Sequence, residues 1–176
     1  MQKEKKNSVN CLTRERLLTA LMQLLKSKSL SAISITELTE QAGVSRMTYY
    51  RNYTSKEDIL SSHLKDIFSS YRRDIASWKD QGCYNDYRNL LHCFEYFYQH
   101  REFMKSLVSC HLEHWLLCEL SSYLMETYYR DSDSIDLYYR LQAFSGALYH
   151  TYISWILNDT RETPEEMARL MAEIFS

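Results

Sequence analysis

Three glycines and one proline in 176 residues leave this chain almost without backbone breakers. Sheet proteins need such residues at their many tight turns, so the scarcity predicts an all-α fold. Set against roughly 100–200 residues per domain, the length allows one or two domains. Hydrophobic residues make up 45% and charged residues 25%, a globular balance that excludes a disordered or fibrous chain.

The five Cys are odd in number and include no CxxC pair. Reduced, mostly buried thiols in a cytoplasmic protein fit that usage better than a disulfide framework. The opening MQKEKKNSVN is charged with no apolar stretch behind it, so no signal peptide is expected. One uncharged run, Leu141 to Asn158, reaches membrane-spanning length. It carries Gln142, Ser145, His150, Thr151, Ser154 and Asn158, which are costly in lipid but acceptable in a protein–protein seam. No membrane partner is expected.

The net charge of −2 divides unevenly: residues 1–60 carry +4 and residues 61–176 carry −6. A basic first third on an acidic remainder suggests that one end meets a polyanion.

From Thr13 onward Leu17, Leu21, Leu24 and Leu18, Met22, Leu25 recur at helical spacing, and the helix ends near Lys26 and Lys28. Ser34 and Glu37 form a capping box for a short helix, Ile35 to Ala42, which stops at Gly43. Ser45 caps another, roughly Arg46 to Asn52, and Ser55 begins a fourth with Glu57 and Asp58 in its first turn. Two short helices across a Gly-containing turn, after a longer support helix, make a helix-turn-helix. Leu38, Ala42, Val44 and Tyr49 face inward, leaving Arg46, Met47, Thr48 and Arg51 outward. A helix fits the major groove, where Arg pairs with guanine and Thr or Met meets a thymine methyl. Lys56 and the amides at the start of the fourth helix suit a phosphate.

Residues 13–64, above all AGVSRMTYYRNYTSKEDIL, resemble the DNA-binding domain of the TetR family of transcription regulators. The match rests on Ala42, Gly43, Val44, Ser45, Thr48, Tyr50, Ser55, Lys56, Glu57 and Asp58. The resemblance implies that Tyr50 and Lys56 grip phosphates and that Thr36 sits near the DNA backbone. It also implies that Arg46, Met47, Thr48 and Arg51 read bases. Met47 departs from a position where a small residue is common, and Tyr53 replaces Phe. Thr39 takes an inward place usually held by Ala.

Beyond a long fourth helix, Ser55 to about Trp78, Gln81-Gly82 make a break. Further helices are expected at Asn85–Gln99, Glu102–Val108, Glu113–Tyr129 and Ile135–Asn158. A last helix opens at Thr163-Pro-Glu-Glu166 with a capping box and Pro at its first position. FSGALYHTYISWILNDTRETPEEMARLM also resembles the C-terminal end of a TetR subgroup common in Gram-positive bacteria.

Fifteen Tyr, most of them after residue 70, are the oddest feature. Aromatic walls with hydroxyl tips suit a small-molecule pocket between helices, with Phe94, Tyr98, Trp115 and Tyr123 as candidate walls. The plainer alternative is that Tyr fills half-buried positions. Cys110, His114 and Cys118 lie at four-residue intervals, as a stripe on a helix would. Three ligands on one straight helix cannot surround an ion, so a buried stripe is expected rather than a metal site. No Gly-rich phosphate loop, GxSxG or HExxH is present, so no catalytic residues and no cofactor are expected.

The last two long helices are expected to make a dimer seam. Gly146 permits close approach, Phe144, Leu148 and Trp155 supply bulk, and Leu170, Met171 and Ile174 extend the apolar stripe. Pairing them with their symmetry mates gives a four-helix bundle. The sequence therefore reads as a helix-turn-helix domain over 1–60 and a helical effector-binding and dimerisation domain over 61–176. The expected function is a ligand-released repressor that binds double-stranded palindromic DNA as a homodimer, with a small-molecule effector. An activator or co-regulator with a protein partner is the alternative within that class. A helical carrier or enzyme for a small hydrophobic molecule is the alternative outside it.

Overall fold

The structure is a computed structural model that describes residues 2–176, with side chains described from Asn10 onward. The described residues form nine α-helices and one 3-10 turn, with no strand. They are α1 (Gln2–Leu25), the turn Leu30–Ala32, α2 (Ile35–Ala42), α3 (Arg46–Asn52), α4 (Lys56–Ala76) and α5 (Tyr87–Gln99). These are followed by α6 (Arg101–Ser109), α7 (His114–Tyr128), α8 (Ile135–Leu157) and α9 (Pro164–Ile174). The chain divides into two compact units, Met1–Asp66 and Ile67–Ser176, and the division falls inside α4.

In the first unit α1 begins at Gln2 rather than near Thr13. The preceding Gln, Lys and Glu residues are good helix formers but carry no apolar stripe, so periodicity misses them. Leu17, Leu21 and Leu24 form the buried face, while Leu18, Met22 and Leu25 flank it half-buried. The ends of α2 and α3 are fixed by local chemistry. Ser34 accepts from the Glu37 amide and Ser45 from the Thr48 amide. Gly43 takes a left-handed φ of 62°. Its N–H then reaches the Glu40 carbonyl, and that of Val44 reaches Thr39 at 3.0 Å. This is the Schellman arrangement, which satisfies carbonyls that the helix end would orphan.

Leu38 and Tyr49 are wholly buried, Ala42 nearly so, and they lock α2 to α3. Arg14 of α1 reaches across the unit, donating from Nε to the Tyr53 hydroxyl at 3.1 Å and from Nη2 to Asp66 at 3.1 Å. The Tyr49 hydroxyl, by contrast, has no partner among the described residues. Burial pushes its phenol up to about 12. The folded state therefore holds that proton more tightly than the unfolded chain does. The stability this phenol contributes is whole below about pH 10 and is lost as pH rises towards 12. Tyr49→Phe should leave stability at neutral pH unchanged, or raise it by up to about 1 kcal/mol, because no hydrogen bond is lost. It should also flatten the alkaline decline. Urea melts at neutral and alkaline pH check this; a loss above about 1 kcal/mol at neutral pH would contradict it.

In the second unit α5 packs on α9, α7 on α8, and α6 on α8. The helix α4 stops at Ala76, short of the expected Trp78, where the Ser77 hydroxyl takes the Asp74 carbonyl at 2.6 Å. The break between α6 and α7 uses no glycine. His111 adopts a φ of 58°, and the Leu112 amide closes on the Leu107 carbonyl at 2.9 Å. At the end of α8, Asp159 plays the same part, with the Thr160 amide on the Trp155 carbonyl at 3.0 Å. The helix α9 opens with the full capping box of Thr163 and Glu166 and with Pro at its first turn. No helix among the described residues is long and apolar enough to cross a membrane, Leu141–Asn158 included.

Much of the Tyr excess is core. Tyr71, Tyr123, Tyr149 and Tyr152 are buried, and their rings meet neighbours mostly edge to face or tilted. The Tyr152 hydroxyl donates to the Phe97 carbonyl at 2.8 Å and Tyr96 to that of Ile67 at 3.1 Å.

Candidate nucleic-acid interface

The outward side of α3 is set by what its inward side must do. Tyr49 is drawn wholly into the core, so positions about half a turn away, Met47 and Arg51, are pushed out. Met47 is 73% exposed and Tyr50 is 57% exposed. Arg46 and Arg51 are exposed beside them. Arg46 with Tyr50, and Met47 with Arg51, form two adjacent four-residue rungs. Neither arginine makes an ion pair among the described residues, so both guanidiniums keep their donors for a ligand. Thr36 lies exposed on α2.

Two of the expected contacts are placed differently. Thr48 is half-buried, and its hydroxyl lies 2.8 Å from that of Ser45. It belongs to the α3 cap as much as to the outer face. The Lys56 ammonium donates to the carbonyls of Leu30 and Ile33, which binds the start of α4 to the 3-10 turn. Two of its three donors are thus committed within the unit. That link was invisible in the sequence because it joins residues 26 and 23 positions apart. Around it Ser55 accepts from the Asp58 amide, and Asp58 accepts from the Thr54 amide and hydroxyl.

Between the helices where a ligand cavity is expected, the described residues leave little space. It includes two voids of about 20 Å³ each, room for roughly one water apiece. Phe94 lines one and Tyr123 the other. Tyr98 and Trp115 line neither. Tyr98 stacks near Trp155 under the Arg101 guanidinium, 4.2 Å from the ring centroid. Trp115 sits half-buried against His114.

Four residues expected at the dimer seam lie inside the protomer. Phe144, Leu148, Trp155 and Met171 are buried within their own chain. An uncharged helix has no polar side to declare which face turns inward, and its bulkiest side chains went to the core. At its start α8 exposes Ile135, Asp136, Tyr139 and Arg140, and further along Ala143, His150, Ser154 and Leu157, with Gly146 and Ala147 half-exposed. On α9 Leu170 is 47% and Ile174 61% exposed.

The Cys110, His114, Cys118 stripe does not form either. Cys110 caps α6 while His114 starts α7, and the left-handed His111 lies between them. Among the described residues no group of three His, Cys, Asp or Glu converges as metal ligands. The thiols are not mostly buried: Cys11, Cys83 and Cys118 are exposed. Cys93 and Cys110 are half-buried, and burial pushes the Cys93 thiol up to about 12.

Two short capped helices at a fixed angle, with a cationic outer face on the second, define a helix-turn-helix DNA-binding unit. Residues 17–62 match the family of bacterial regulatory proteins, tetR family, and residues 85–176 match a transcriptional regulator C-terminal region. The chain belongs to the TetR family of DNA-binding transcriptional regulators. It is 32% identical over 90 residues to YvkB, an HTH-type transcriptional regulator of Bacillus subtilis (strain 168). That alignment covers 51% of this chain and 47% of the relative, so the chain spans about half the length of the curated relative it matches. The fold is similar to that of Lin0861 from Listeria innocua, with TM-score 0.71 and 18% identity over 93% of this chain and 88% of that one. A TetR transcriptional regulator from Streptococcus agalactiae 2603V gives TM-score 0.65 and 19% identity over 99% of each chain.

Proposed function

We propose that the protein is a homodimeric repressor that holds a palindromic operator through α3 of each protomer and releases it when an effector occupies the C-terminal unit. The observation that carries the DNA half is the outer face of α3, where Arg46, Met47, Tyr50 and Arg51 stand exposed on a helix capped at its start. In this reading Arg46, Met47 and Arg51 meet base edges, with Thr48 offering its methyl group. Thr36, Tyr50 and the third donor of Lys56 meet phosphates, which position the helix without reading sequence.

The dimer half is supported by the outer face of α8, which is uncharged beyond the exposed Asp136 and Arg140. Tyr139, Ala143, Gly146, Ser154 and Leu157 run down it, and a groove of about 410 Å³ beside it is lined in part by His150, Glu162 and Leu170. Leu170 of α9 lines that groove with His150 and Ser154. Pairing such a surface with its own copy closes on itself and sets two α3 helices for half-sites about one helical turn or a multiple apart.

For release, α4 is the mechanical element, since one continuous helix contributes to both units. An effector that fits only an opened C-terminal unit shifts the population towards the opened form. The closure of that unit sets a cost. If about 1% of molecules are open, the apparent affinity falls about 100-fold below the intrinsic one. The same closure favours a second reading, in which the effector is another protein docking on the outside.

Deleting the gene should raise expression from a reporter fused to the promoter that carries the operator. A fall instead would make the protein an activator and overturn the repressor reading.

A further inference from the structure

We propose that Asn89, Tyr128 and Tyr71 form the polar head of the effector site, and that the effector is an elongated, uncharged molecule with a hydroxyl or similar neutral hydrogen-bonding head. This rests on the ligand-released reading above.

Asn89 lies in the first turn of α5 and is 7% exposed. Its Nδ2 donates to the carbonyls of Gln81 and Cys83, both at 2.6 Å. Only the NH₂ group can serve two carbonyls, so the orientation of the amide is fixed by its partners. The Oδ1 atom is then left buried with no partner among the described residues. An unpaired buried acceptor is unfavourable, and a group that donates to it recovers that loss.

Asn89 borders one of the two small voids, together with Tyr71, Tyr123, Tyr128 and Cys93. The Tyr128 hydroxyl lies 3.5 Å from Asn89 Nδ2, and the rings of Tyr71, Tyr123 and Tyr128 meet in succession edge to face. Burial keeps these phenols and the thiol protonated at neutral pH. The second void is walled by Phe68, Phe94, Phe97 and Leu116, among others. Cys93, Leu120 and Leu148 line both voids and so form the partition between them. Rotating that partition aside makes one slot, polar at the Asn89 end and apolar at the other. Among the described residues no Lys, Arg, His, Asp or Glu lines either void. A carboxylate or ammonium head would lose its hydration there without a counter-ion, whereas a hydroxyl can donate to Oδ1 and accept from Tyr128.

The test uses 1-decanol and decanoate as probes of the full chain without DNA, read by calorimetric titration and by the shift in Tm. Decanol should bind and raise Tm, with decanoate at least about tenfold weaker. Tyr128→Phe should weaken decanol roughly 3- to 10-fold with little change in the melting of the free protein. Cys93→Ala, which thins the partition, should tighten binding. The proposal is overturned if decanoate binds as well as decanol, or if Tyr128→Phe has no effect. It is equally overturned if neither probe binds even to Cys93→Ala and a crystal structure shows one ordered water on Asn89 Oδ1. Decanol binding with the expected variant pattern but unchanged operator affinity would uphold this site while removing ligand-released repression.

Discussion

Gly146→Arg should yield folded monomers that no longer hold a palindromic DNA fragment. A Cβ built at Gly146 meets nothing within 4 Å in its own chain, so the new side chain has room in the isolated protomer. Replacing a mid-helix glycine should even favour α8 slightly, by up to about 1 kcal/mol. The residue stands on the uncharged face proposed for the partner, between Ala143 and His150, where both neighbours are exposed. A buried guanidinium with no counter-charge in a two-fold seam meets its own copy, and breaking pairs in such settings costs about 3–5 kcal/mol. Sedimentation would show half the mass with unchanged circular dichroism, and the palindrome would lose cooperative occupancy. An intact dimer would remove this face from the seam.

Trp155→Ala is expected to act in the opposite way. Its ring is 2% exposed, packs edge to face on Phe94, and donates from Nε1 to the Glu162 carbonyl at 2.9 Å. Truncation leaves a large cavity and an unmatched carbonyl, at about 3–5 kcal/mol. For a chain of this length that lowers Tm by roughly 6–20 °C. Below the melting transition the dimer should persist. Trp155 thus separates core from seam on the same helix as Gly146, and a calorimetric scan beside a sedimentation run tells them apart. A variant with unchanged Tm but dissociated subunits would reverse the assignment.

The features that were legible in the sequence are those whose cause is local. Ser34, Ser45 and Thr163 announce helix starts because a cap needs only the next turn, and Gly43 announces a stop because it alone accepts the left-handed turn cheaply. The outer face of α3 followed from the same period, apart from Thr48, which its own cap drew inward. Where one residue's environment depends on distant ones, the pattern was silent. Trp155 and Gly146 share an uncharged stretch in which every face looks alike, and only packing against α5 and α7 decides between them. The α6–α7 break relies on His111 in a conformation that its residue type does not advertise, which is why Cys110 looked continuous with His114. The commitment of Lys56 to Leu30 and Ile33 likewise depends on a contact across the unit.

Operator binding measured against salt, for the wild type, Arg46→Ala and Tyr50→Phe, tests the central claim that the outer face of α3 reads DNA. Both side chains are exposed and neither holds the fold through a hydrogen bond, so stability should stay level. Arg46→Ala should lose about 1–3 kcal/mol on the operator and relax the preference at one base. Tyr50→Phe should weaken operator and unrelated DNA alike, by about 0.5–1.5 kcal/mol, because a phosphate contact carries no sequence information. Unchanged operator affinity and unchanged base preference in both variants would contradict the account.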